Sequence, residues 1–135
     1  MADEPEDDGT IRLEAIDVLE IYAAIIDSTT NQAADHLRDH SGLEGALARP
    51  AMHAHYQGAD LALQAAVLAH GIAEGQLFID GNKRTALIAM LTFLEINEVQ
   101  VAATDPELAD WILILSAGAT PEQLAQRVRR AIVND

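Results

Sequence analysis

Residues 78–85 read FIDGNKRT and place a carboxylate, a glycine, an amide and two adjacent cations within five positions, Asp80 to Arg84. Lys83 is the only lysine of the chain, and lysines and arginines together number eight against 22 acids. Such a cluster suits anion chemistry. Gly81 can adopt positive φ, letting consecutive backbone amides converge on an anion. A helix that starts near Lys83 adds the positive end of its dipole. Arg84 offers a planar fork for phosphate oxygens, and Lys83 a compact charge. Asp80 is an oxygen ligand suited to Mg²⁺, which is commonly held by one or two carboxylates together with substrate phosphates. The combination describes a cradle for a metal-bound polyphosphate. It is not a P-loop, because Gly75 and Gly81 are wrongly spaced and Asn82 precedes Lys83. The plain alternative is a polar connector between two apolar segments.

Those apolar segments must position the cluster. Leu61–Gly75 is apolar almost all round, with Leu61, Ala65, Leu68 and Ile72 on one stripe. Thr85–Asn97 has the same character, with Leu87, Met90, Leu91 and Leu94 facing inward. Helices of this kind belong at the centre of a core. Residues 14–27 predict an earlier helix, with Val18, Tyr22 and Ile25 or Ile26 on one face. The polar stretch 28–42 reads as a loop with room for one helical turn. A short helix is expected around Leu43–Ala48, stopped by Pro50, and the histidine-rich residues 51–60 read as irregular. Two signed helices follow. Asp105 can cap one, with Pro106 at its first position and Gly118 at its end. Thr120 and Gln123 form a capping box for the other. The expectation is an all-α single domain of five to seven helices around a buried central pair.

Composition agrees. Half the residues are hydrophobic but only 4% are aromatic, which favours helices over a β sandwich. Residues 1–9 hold an acidic run expected to be a disordered tail, leaving 10–135 as the domain. The formal charge of −14 argues against nucleic-acid partners. The absence of cysteine fits a cytoplasmic protein. No signal-like N-terminal segment and no membrane-length apolar run is seen, so no membrane association is expected.

The run LFIDGNKRTAL resembles the signature loop of the Fic/Doc proteins, of the form H-x-F-x-[D/E]-G-N-[G/K]-R. The likeness extends to LEAIDVLEIYAAII, LRDHSGLEGALARP and TFLEINEVQV, over roughly residues 11–130. It implies a Fic fold in which Phe78 anchors the loop and Asp80 binds Mg²⁺ on the phosphates of ATP. Gly81 and Asn82 would help to form the anion nest, and Arg84 would contact phosphate. Lys83 stands where AMP-transferring members carry a second glycine, which points to the death-on-curing (Doc) branch. The resemblance therefore implies a toxin of a type II toxin–antitoxin pair that is restrained by a small antitoxin. Such a toxin phosphorylates a threonine of elongation factor Tu. AMP transfer to a protein hydroxyl, and a catalytically dead nucleotide- or partner-binding protein, are the alternatives.

The motif's histidine, the family's general base, falls at position 76, where this chain has Gln76. Glutamine accepts a hydrogen bond but has no useful basicity near neutral pH, so transfer is expected to be impaired. The self-inhibitory motif [S/T]-x-x-x-E-[G/N] is not met either. TIRLEA, residues 10–15, ends in alanine, and SGLEG, residues 41–45, is one residue short. Restraint is then expected from another chain. Among other candidates, His53 and His55 read as a surface loop rather than a metal site, and His70 as a hydrogen-bonded core histidine. Trp111 reads as core, and Arg129 and Arg130 as last-turn partners of a helix dipole. His36 and His40 carry no assigned role.

Overall fold

The computed structural model describes residues 8–133. Of the acidic tail expected over residues 1–9, only Asp8 and Gly9 fall within them. The described residues form seven helices: α1 (Ala15–Ile25), α2 (Thr30–His36), α3 (His40–Gln57), α4 (Leu61–Gly75), α5 (Asn82–Ile96), α6 (Asp105–Ser116) and α7 (Pro121–Ala131). They contain no extended sheet, only two isolated antiparallel bridges, Leu37 with Phe78 and Val101 with Ile132. The all-α expectation holds.

α4 and α5 are the central pair. α4 buries Ala65, Ala66, Leu68, Ala69 and Ile72 at 2% exposure or less, and α5 buries Ala86, Ala89, Met90, Phe93 and Leu94 equally deeply. α3 and α7 cover α4, while α1 and α6 lie against α5. Alanines set the distance. A Cβ placed on Gly71 of α4 would lie 3.0 Å from the Ala46 Cβ of α3, so these two helices touch through their smallest residues. Trp111 of α6 is buried as expected.

Three local expectations are corrected. α3 does not stop at Pro50 but runs through it to Gln57, taking in much of the supposedly irregular histidine-rich stretch. Pro50 removes one helical hydrogen bond, yet it is buried with Leu43 and Ala46 on the face toward the core. That burial, and the αL cap at Gly58 (φ 64°), set the helix end instead. Residues 30–36, expected as loop with at most one helical turn, form the seven-residue α2, whose first turn is held by the Thr29 side chain accepting from the Gln32 amide at 3.2 Å. Only Ala33 of α2 is buried, so hydrophobic periodicity carried almost no signal there. Thr104, not Asp105, caps α6, through a capping box with Glu107.

Candidate functional site

The loop from α4 to α5 is fixed at four points. α4 ends on Gln76, whose backbone is left-handed (φ 48°, ψ 51°), a conformation uncommon for a residue with a side chain. The chain then pairs with residues 36–38: the Arg38 amide donates to Leu77 O at 2.7 Å, and the Ile79 amide to His36 O at 3.1 Å. Phe78 is fully buried and stacks on Tyr22 of α1, with ring centroids 4.0 Å apart and planes 6° from parallel. Asn82 closes the turn. Its side-chain amide donates to Phe78 O and its carbonyl accepts from the Phe78 amide, both at 2.9 Å.

α5 therefore begins with an end open to solvent. Its N-cap is Gly81 at φ 72°, ψ 14°, with no side chain to accept from the first amides. A Cβ at Gly81 would meet Tyr22 at an ordinary 3.5 Å, so handedness rather than crowding favours glycine there. Gly81 O accepts from both the amide (3.0 Å) and the hydroxyl (2.8 Å) of buried Thr85. Helix starts leave amide donors without intrahelical partners and carry the positive end of the dipole. Here no side chain takes them up.

Gln76, Asp80, Gly81, Asn82, Lys83 and Arg84 line one cavity of about 400 Å³ together with Arg38. All the sequence-predicted site residues are thus brought together. Gln76, Asp80, Lys83 and Arg84 are exposed to solvent. Neither Lys83 nor Arg84 makes an ion pair among the described residues. No group of three or more histidines and acids suited to a metal occurs among them. Asp80 is therefore a single protein carboxylate beside an uncapped helix start and two cations unpaired among the described residues, a donor set that would fit Mg²⁺ carried in on phosphates.

Three residues of this site escaped the sequence reading. Arg38 adds a third cation and donates through Nη2 to Gln76 O at 3.2 Å. The buried Tyr22 hydroxyl donates to Asp80 Oδ1 at 3.1 Å and lies 3.1 Å from His36 Nδ1. Burial, and then the bond to Asp80, hold the Tyr22 hydroxyl above its ordinary pKa. Tyr22 was legible as a core-facing residue, but its polar end was not. His36 sits at the end of α2, in a polar stretch whose sequence leaves room for only one helical turn.

The other histidines lie away from the cavity lining. His70 is half-exposed rather than core-bonded, with Nε2 4.0 Å from Glu74 Oε1. His53 and His55 sit on α3, not in a loop, and the buried His53 Nδ1 has no hydrogen-bond partner among the described residues. Arg129 does more than face its own helix end: it bonds Asp60 at the start of α4 and Glu122.

A family model described as the Fic/DOC family matches residues 12–94. The toxin Doc of Mycolicibacterium smegmatis is 45% identical over 71 residues, which cover 50% of this chain and 53% of that protein. The chain thus spans about half the length of the curated relative it matches.

Proposed function

Because the chain belongs to the Fic/DOC family, we propose that it is a Doc-like toxin built to transfer phosphate from ATP to a hydroxyl of a translation protein, elongation factor Tu by family precedent. The observation that carries the reading is the uncapped start of α5, with Asp80, Lys83 and Arg84 around a single cavity. The amides of this turn and the Arg84 fork would hold phosphate oxygens. Lys83 would neutralise their charge, and Asp80 would take the cation. Asn82 contributes by shaping the turn, since its side chain is engaged with Phe78. When bound, Mg²⁺-ATP supplies the phosphoryl group and part of its charge neutralisation.

The chemistry also needs a proton acceptor near the attacking hydroxyl, whose pKa lies far above 7. By the family motif that acceptor would stand at position 76, where this chain has Gln76, and an amide cannot serve. The same observation favours a second reading, a protein that binds nucleotide but transfers little. Incubation with Mg²⁺-ATP and the purified target, followed by mass spectrometry, decides between them. One added phosphate supports kinase activity, one added AMP moves the reaction class, and no change supports the binding-only reading.

We assign restraint to a small antitoxin. A groove of about 880 Å³ between α1 and α5 is lined by Ile21, Ile25, Ile88 and Ile96, with three acids (Glu14, Asp17 and Glu20) against two cations (Arg12 and Arg84). This lining suits an apolar segment flanked by basic residues. Co-expression with such a partner should give a stable complex, and separate elution of the two chains would remove the assignment.

A further inference from the structure

Asp80 is exposed and lies on a loop, where a carboxylate would ordinarily sample several rotamers. Here one of its oxygens is held from inside the protein. The Tyr22 hydroxyl has a single proton, and its donation to Asp80 Oδ1 leaves the Tyr22 oxygen to accept. The neighbour at 3.1 Å on that side is His36 Nδ1, which then carries the donating proton. The result is a directed chain, His36 Nδ1–H to Tyr22 O–H to Asp80 Oδ1. It joins α2, α1 and the α4–α5 loop. The His36 carbonyl, through the Ile79 amide, also fixes the backbone one residue before Asp80. Asp80 Oδ2 makes no hydrogen bond among the described residues, so the chain leaves one oxygen free on a carboxylate whose orientation is set.

We propose that Tyr22 and His36 are positioning residues that aim Asp80 Oδ2 at the cation of the bound nucleotide. The inference rests on the reading that Asp80 carries that cation. A hydrogen bond to an ionised carboxylate is among the stronger kinds, and groups that orient metal ligands commonly influence metal affinity as much as tenfold or more. Neither residue touches the cation; both act through the carboxylate.

Calorimetric titration of ATP at a series of Mg²⁺ concentrations tests this on the whole chain. Tyr22→Phe keeps the ring stacked on Phe78 and removes only the hydroxyl. It should weaken the Mg²⁺ dependence of ATP binding about tenfold while leaving metal-free ATP binding unchanged. His36→Ala should move it in the same direction by less. A lower melting temperature with the wild-type Mg²⁺ dependence would make Tyr22 merely structural and overturn the inference. Asp80→Asn separates the two levels of the argument. If it too keeps the wild-type Mg²⁺ dependence, the assignment of the cation to Asp80 falls and the inference with it. If only Tyr22→Phe does, the inference alone falls. A second readout needs no variant. Nitrogen-15 spectra of the His36 ring in its neutral form should show the proton on Nδ1, and a proton on Nε2 would reverse the chain and overturn it.

Discussion

Two helix starts in the same core are built in opposite ways. α4 begins at Asp60, whose side chain accepts from the Leu63 amide at 2.9 Å and is gripped by Arg129 of α7 at 2.9 and 3.0 Å. α5 begins at a glycine, with no side-chain acceptor and with Lys83 and Arg84 unpaired among the described residues. A cap is worth about 0.5–2 kcal/mol, and α2, α3, α6 and α7 also have one. The stabilisation available at α5 has been left unused. On the proposed reading, an internal carboxylate there would occupy the place of an incoming anion, and the difference would separate a helix end that serves the fold from one that serves a ligand.

The largest change to this contrast should come at the edge of the open end. Gln76→His introduces a base into the cavity at a left-handed position that histidine tolerates better than most residues. Phosphate transfer to the target should rise by roughly 10²-fold or more, and growth of cells that lack the antitoxin should fall. Brisk transfer by the unaltered chain, with nothing gained by the histidine, would mean that another group already acts as base.

Arg84→Ala should weaken Mg²⁺-ATP binding roughly 10- to 100-fold, as expected for a lost hydrogen bond to a charged group, and Asp80→Ala, which removes a metal ligand, should weaken it roughly tenfold or more. Equal affinities by calorimetry in these variants and the parent chain would close the open end as a site. Arg38→Ala should cost less, roughly 3- to 10-fold, because its guanidinium already shares its donors with Gln76 O. A loss as large as that of Arg84 would place Arg38 directly on the phosphates.

The open end was legible and the closed end only partly so, for a physical reason. Asp80 to Arg84 are contiguous, so their chemistry could be read as one string. The all-α architecture was equally plain, because α4 and α5 are apolar on nearly every side. By contrast, the bond between Asp60 and Arg129 joins positions 69 apart, and nothing local marks either as the other's partner. Tyr22 and Asp80 are 58 apart. A short helix such as α2, with one buried alanine, has no apolar stripe for the sequence to show beyond room for a single turn. In sequence Pro50 shows only its missing N–H, which predicts a helix end, whereas its burial on the core face of α3 depends on residues far away in the chain.

The smallest expected effect lies at the closed end. Asp60→Ala removes the cap and both arginine bonds, but the ion pair is more than a third exposed and adds only a fraction of a kcal/mol. The total loss should be about 1–2 kcal/mol at pH 7, read from urea unfolding. Arg129 holds the Asp60 carboxyl below its ordinary value of 3.8; burial opposes the shift and the Leu63 amide adds to it. A carboxylate with a depressed pKa binds fewer protons folded than unfolded, so its stabilisation is present above the unfolded value and fades as pH falls through the folded one. The two proteins should therefore differ at pH 7 and draw together as the pH falls below 3.8 and through the lower folded value, where Asp60 becomes protonated in the parent chain. Nucleotide affinity should not move, because Asp60 and the cavity are separated by the whole of α4, roughly 22 Å for its 15 residues. A change in Mg²⁺-ATP binding in Asp60→Ala would show that the two ends are coupled through the helix and are not independent in the way their construction indicates.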